Sequence, residues 1–309
     1  MLPREPTRRE FLKVGAALAA AGGLPGAYGE LFAQGIERLS QGLPLVLWLQ
    51  GQACTGCSAS LLNADDPRVF DVITQRVRLA FHPTISAAQG KPALEIIEKV
   101  QNGSEPFVLM VEGTVPLQMP EACRIGGRVF AEVLLPLLRR AQFIVAVGTC
   151  ASYGGIPSAE ENDTGASSVQ EFMQKAAVPA QGRLVNCPGC PCHPAEVLGT
   201  LAHLAAKGYP EVKPDVLTPA MYSSVCLHYQ CPRLPQFNAR VFAITFGDGD
   251  GCLYQLGCRG LDVNADCAGR GWNGGVNWCI QASAPCIGCN QPLFAKTRSY
   301  PFYNKGDAS

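Results

Sequence analysis

Fifteen cysteines occur in this chain of 309 residues, and eight of them fall with one histidine between Cys226 and Cys289. They run as Cys226-Leu-His228, Cys231, Cys252, Cys258, Cys267, Cys279 and Cys286-Ile-Gly-Cys289 on glycine-rich, weakly periodic sequence. Such a segment is organised by something other than an apolar core. His228, three residues before Cys231, offers with Cys252 and Cys258 one imidazole and three thiolates. Cys267, Cys279, Cys286 and Cys289 offer four thiolates. Either set saturates one tetrahedral zinc or one four-iron cluster, and ligand spacing does not separate the two metals. His82, His193 and His203 have no such spacing and read as structural residues, and Cys123 and Cys226 are left without a role.

Four more cysteines precede that segment: Cys54 and Cys57 in a CxxC, Cys150 in Gly148-Thr-Cys150, and Cys190 in Cys187-Pro-Gly-Cys190-Pro. A CxxC by itself also suits a redox dithiol or half of a zinc site. Placement along the chain is more informative. Apolar runs at Pro44 to Leu49, Val77 to Phe81, Phe107 to Val111, Phe143 to Val147 and Leu184 to Val185 predict strands, and helical patterns at Pro92 to Val100, Val129 to Arg140, Ser168 to Ala177 and Pro194 to Lys207 alternate with them. That alternation predicts an α/β fold with a doubly wound parallel sheet over residues 43–208. Open sheets bind ligands beyond the carboxyl ends of their strands, where all four cysteines fall, so they are expected to converge on one four-thiolate cluster or metal site. Pro92 and Pro194 sit at helix first turns, whereas Pro136 is expected to kink its helix.

From Tyr209 to Ser309 the chain reads as an irregular, cysteine-organised second domain whose single strand-like run is Arg240 to Phe246. Gly247-Asp-Gly-Asp-Gly251 lacks the twelve-residue calcium-loop pattern and reads as a glycine-rich turn.

Arg8-Arg9 before the apolar stretch Val14 to Gly23 reads as a twin-arginine export signal occupying residues 1–29, with cleavage after Gly29. Its removal leaves 21 basic and 23 acidic residues. No basic block interleaves with aromatics, which argues against a nucleic-acid partner. No later run is long and apolar enough for a membrane helix, which points to a soluble mature chain. Exported cysteines ordinarily form disulfides. The twin-arginine route carries proteins already folded around their cofactors, so metal-bound thiolates are compatible with export to the periplasm.

In order along the chain, Gly51-Gln-Ala-Cys-Thr-Gly-Cys57, Glu112-Gly-Thr-Val-Pro116, Gly148-Thr-Cys-Ala-Ser-Tyr-Gly-Gly155, Pro188-Gly-Cys-Pro191, His228 to Cys231-Pro, Cys252 to Leu256-Gly-Cys258 and Cys286-Ile-Gly-Cys289 resemble the small subunit of nickel-iron hydrogenases. The segment Trp272-Asn-Gly-Gly-Val-Asn-Trp-Cys279 resembles the soluble periplasmic branch that includes the nickel-iron-selenium enzymes. The resemblance implies a flavodoxin-like domain followed by an iron-sulfur domain. It also implies three clusters that carry electrons between a nickel-iron site in a partner large subunit and a soluble carrier such as a multihaem cytochrome. By this likeness Cys54, Cys57, Cys150 and Cys190 hold a proximal [4Fe-4S] cluster, and His228, Cys231, Cys252 and Cys258 a distal [4Fe-4S] cluster. Cys267, Cys286 and Cys289 match the medial ligands.

Two departures refine this expectation. Many relatives have proline where Cys279 stands, and a [3Fe-4S] medial cluster; a fourth thiolate here predicts a medial [4Fe-4S] cluster of lower potential. Oxygen-tolerant relatives carry extra cysteines at positions matching Gly56 and Gly155, so their special proximal cluster is not expected. Cys187 and Cys192 flank Cys190 and read either as accessory groups at the proximal cluster or as small buried side chains. Glu112, by likeness, lines the cluster or a proton path, with a capping or turn role the other reading. Rival readings are the cluster subunit of a quinone-reducing complex, which lacks a second cysteine domain, and an exported zinc or disulfide-stapled binding protein.

Overall fold

The computed structural model describes residues 43–65, 67–222 and 225–295. The export signal and the polar tail after Ala295 lie outside the described residues. Five strands form one parallel sheet: β1 (Leu45–Gln50), β2 (Arg78–Phe81), β3 (Phe107–Glu112), β4 (Phe143–Val147) and β5 (Leu184–Cys187), in the order β2-β1-β3-β4-β5. This is the flavodoxin-like order, with its switch point between β1 and β3.

The inner strands β1, β3 and β4 read as apolar runs because both sheet faces are covered there, whereas the edge strand β2 begins with the exposed Arg78. Leu47, Leu49, Leu109, Val111, Ile144 and Ala146 face one core with α3 (Lys91–Asn102), α4 (Phe130–Arg140) and α6 (Val169–Lys175). Their alternates Val46, Trp48, Val108, Met110, Val145 and Val147 face the other core with α1 (Gly56–Leu62), α2 (Val69–Gln75) and α7 (Pro194–Lys207).

Helix α4 continues through Pro136 to Arg140. Leu134, Leu137 and Leu138 on either side of the proline are fully buried, and this packing holds the helix across the missing hydrogen bond. Three helices escaped the periodic pattern: α1, α2 and α5 (Gly148–Tyr153). Each is seven residues or fewer, too short to repeat an apolar stripe.

The second region builds a smaller core from Leu227, Leu253, Leu256, Val263, Trp278, Ile280 and Cys286, with Cys231, Cys258 and Cys267 packed against it. Its helices are short: α8 (Leu227–Gln230), α9 (Leu234–Asn238) and α10 (Cys267–Arg270). Arg240 to Phe246 is not a strand, contrary to the sequence pattern. It makes a single bridge, Phe242 to Cys252, and no ladder. The Asp248 carboxylate instead accepts from the Ile244 and Thr245 amides at 3.1 and 3.0 Å, closing the glycine-rich turn on groups a strand would have used.

Candidate cluster sites

At the carboxyl edge of the sheet three loops bring four thiols together. Cys54 and Cys57 follow β1, Cys150 lies in α5 directly after β4, and Cys190 follows β5. Gly148 begins α5 at φ +82°, and a Cβ there would collide with Cys57 Sγ, so glycine is what lets the β4 and β1 loops close on each other. Burial raises the Cys57 thiol, with Glu112, Cys150 and Cys190 adding to the effect. Burial also pushes Cys150 up to about 12, with Cys190 and Cys54 contributing next. Free thiolates are therefore disfavoured here, and a bound cation inverts that preference. None of the fifteen cysteines forms a disulfide. Gly56 and Gly155 border the set: a Cβ at Gly56 would lie 3.0 Å from Cys54 Sγ and one at Gly155 3.1 Å from Cys150 Sγ.

Glu112, at the end of β3, is 2% exposed and holds the N-terminus of α1. Its Oε1 accepts the Cys57 and Ser58 amides at 3.1 and 3.3 Å, while Oε2 accepts from Trp48 Nε1 at 3.2 Å, Gln50 Nε2 at 2.9 Å and Ser58 Oγ at 2.5 Å. The capping geometry is thus present, and it fixes the backbone that carries Cys57. Sequence reading missed the donors Trp48, Gln50 and Ser58, because an apolar strand and a helix start conceal their common target.

The second region holds two further sets. His228, Cys231, Cys252 and Cys258 line one cavity with Leu227, Leu253 and Trp278. His228 lies edge-on to Phe237, ring centroids 4.5 Å apart, and burial lowers its pKa, keeping the imidazole neutral and able to ligate. Burial raises the thiols of Cys231, Cys252 and Cys258, and the Arg233 guanidinium beside this cavity only partly offsets it. Cys267, Cys279, Cys286 and Cys289 form the other set: after burial, Cys289 feels Cys267 and Cys279, and Cys286 feels Cys289 and Cys279. Burial pushes Cys289 to about 12 and Cys267 to about 11.

The three sets are consecutive neighbours. The Cys289 thiol feels Cys190 of the first set, and the Thr149 hydroxyl, next to Cys150, donates to the Cys289 carbonyl. Cys286 and Cys279 feel Cys258 of the third, and the Arg259 amide donates to the Cys286 carbonyl at 2.8 Å. Three four-ligand sets in a row suit redox clusters that exchange electrons. The sites' donor chemistry, all thiol but for one imidazole, fits iron-sulfur ligation.

Comparison with known proteins decides the family. Residues 54–204 match the family model described as the 20 kDa subunit of NADH ubiquinone oxidoreductase, and residues 223–303 match the C-terminal region of NiFe/NiFeSe hydrogenase small subunits. The chain is 39% identical to the periplasmic [NiFeSe] hydrogenase small subunit of Desulfomicrobium baculatum, covering 96% of this chain and 98% of that one. The chain belongs to the hydrogenase small subunits. It is 35% identical over 92% of its length to the hydrogenase-2 small chain of Escherichia coli, covering 76% of that protein. The [NiFeSe] hydrogenase structure from Desulfovibrio vulgaris Hildenborough superposes with a TM-score of 0.80 at 38% identity, covering 86% of this chain and 99% of that chain.

Hydrogenase small subunits carry iron-sulfur clusters and pair with a nickel-iron large subunit, so this chain is the electron-transfer half of a hydrogenase. Residues 5–25 match the twin-arginine signal model, which places the protein in the periplasm with its relatives. Among the described residues no helix is long and apolar enough to cross a membrane. The quinone-reductase likeness is confined to the first domain, and the zinc or disulfide-stapled alternative finds no support.

Sequence reading also missed a buried charge cluster: Arg270 Nη2 lies 2.6 Å from Glu196 Oε1 and 2.5 Å from Asp266 Oδ1. It joins α7 of the sheet domain to α10, which begins with Cys267. No spacing signal marks a pair separated by 74 residues. His193 and Trp272 reinforce this junction, ring centroids 4.7 Å apart, and Cys226 is fixed by its thiol donating to the Gly260 and Leu261 carbonyls.

Proposed function

We propose that this small subunit holds three [4Fe-4S] clusters in series and passes electrons between its large subunit's nickel-iron site and a soluble carrier such as a multihaem cytochrome. When bound, the clusters supply one-electron carriers. Cys54, Cys57, Cys150 and Cys190 hold the proximal one at the sheet edge; Cys267, Cys279, Cys286 and Cys289 the medial one; His228, Cys231, Cys252 and Cys258 the distal one. The observation that carries this reading is the succession of three thiol-rich sets, joined by the Thr149 hydroxyl beside Cys150 on the Cys289 carbonyl and by the Arg259 amide beside Cys258 on the Cys286 carbonyl.

The large subunit covers the proximal edge in this reading. Cys54 is exposed there, and Ile156, whose backbone bonds Cys150, is 45% exposed. The neutral His228 replaces a thiolate at the distal site, which raises the potential where electrons leave.

Cys279 separates this proposal from a relay with a three-iron middle. The mildly oxidised, anaerobically purified heterodimer is expected to show no [3Fe-4S] signal in electron paramagnetic resonance. Cys279→Pro is expected to introduce that signal, lose one iron per chain and raise the medial potential. Unchanged iron content and spectrum in the variant would exclude Cys279 as a ligand.

A further inference from the structure

Behind the proximal set, three metal-ligating side chains remain that no cluster site uses. Cys187 ends β5, Cys192 follows the Cys190 loop, and Glu196 lies in the first turn of α7. They are 1%, 0% and 9% exposed. Their ligand atoms all lie within 4.8 Å of one another. The Sγ atoms of Cys187 and Cys192 are 3.5 Å apart, far beyond a disulfide bond. That separation approaches the value of about 3.8 Å set by two thiolates each ~2.3 Å from a tetrahedral zinc ion.

The surroundings are built for a charged occupant. Arg270 Nη2 donates to Oε1 of Glu196 at 2.6 Å, orienting the carboxylate and leaving its second oxygen to ligate a cation. Thr200 Oγ1 lies 3.8 Å from Cys187 Sγ. The Tyr222 hydroxyl, fully buried, has no well-formed hydrogen bond; it projects over Gly199, where any Cβ would strike it, with the Thr200 hydroxyl beside it. Glycine at this position of α7 leaves the room that the hydroxyl occupies. Two thiolates and the carboxylate would carry three negative charges, which a divalent ion and Arg270 together neutralise. Asp266, the other partner of Arg270, is partly exposed to solvent.

We propose that Cys187, Cys192 and Glu196 bind one zinc ion, a structural site that anchors the loop presenting Cys190. Two thiolates with a carboxylate in a closed pocket suit zinc, which brings no redox chemistry of its own into the relay. The site is distinct from the cluster ligands, touching them through the Cys192 amide, which donates to Cys57 Sγ at 3.4 Å. Its three ligands tie the end of β5, the loop and α7 together directly behind the proximal set.

The test is metal analysis of the purified heterodimer after exhaustive dialysis against EDTA, with X-ray absorption at the zinc edge. About one zinc per heterodimer is expected, with two sulfur and lighter oxygen neighbours. Cys187→Ala with Cys192→Ala is expected to lose the zinc while iron content stays unchanged. Glu196→Gln, which removes the carboxylate ligand but leaves both thiols, is expected to lose zinc on dialysis while iron content stays unchanged. Absence of zinc from the wild-type heterodimer overturns the proposal, as does a Cys187–Cys192 disulfide in peptides alkylated before digestion. Loss of iron rather than zinc from a folded double variant would assign the two thiols to the proximal cluster instead.

Discussion

Glu112→Ala is expected to destabilise the protein by roughly 3 kcal/mol or more, since burying a donor without its acceptor costs about 1–3 kcal/mol. Five donors converge on this carboxylate: the Cys57 and Ser58 amides, Trp48 Nε1, Gln50 Nε2 and Ser58 Oγ. At 2% exposure the carboxylate is shielded from bulk water. Glu112→Gln keeps one oxygen but turns an amide group toward the remaining donors, so its effect is expected to be smaller in the same direction. Urea unfolding followed through cluster absorbance measures both. The Ala variant should also lose proximal iron first, because the carboxylate holds the backbone of Cys57 as well as the core beneath it. An unchanged midpoint for Glu112→Ala would mean that the carboxylate does not carry this load.

Arg270→Met should destabilise the protein by about 3–5 kcal/mol, because it strands two carboxylates whose counter-charge is buried. The guanidinium side chain is 4% exposed, that of Glu196 11% and that of Asp266 27%. Burial raises the pKa of both carboxyls while Arg270 holds them down. Without Arg270 the raising effect of burial dominates, so the variant should regain stability as pH falls and the stranded carboxyls take up protons. In the wild type burial already leaves both carboxyls raised on balance despite Arg270, so the junction should vary in the same sense but more weakly, and the variant is expected to show the steeper dependence on pH. A triple variant that replaces Arg270, Glu196 and Asp266 by apolar residues of similar volume should recover much of the loss. A midpoint for Arg270→Met that is low but independent of pH would assign the loss to packing alone. The medial site should report the same change, since α10 carries both Cys267 and Arg270 and the guanidinium is the principal group favouring thiolate at Cys267.

Much of this molecule was legible from local pattern. The inner strands β1, β3 and β4 coincide with apolar runs in the sequence, because a strand covered on both faces needs an apolar stretch whatever its neighbours. Helix α7 begins at Pro194 and ends at Lys207, as its proline start and apolar periodicity predict. The family was legible because the cysteine-bearing motifs are short and ordered along the chain, and both halves of the chain match models of that kind. The stretch Arg240 to Phe246 misled for a physical reason: its apolar residues alternate like a strand, yet Asp248 captures the Ile244 and Thr245 amides, and Ile244 is left 84% exposed.

The sequence by itself determined the fold class, the export signal and the family, since each is written in short-range spacing or in motif order. Only the tertiary structure decided the rest. It placed Glu112 over the amides of α1, joined Arg270 to Glu196 across the two regions, and brought Cys187, Cys192 and Glu196 to one buried point. These arrangements depend on groups that meet because the sheet folds the chain back on itself, and nothing in local periodicity encodes which distant partner a buried polar group must find.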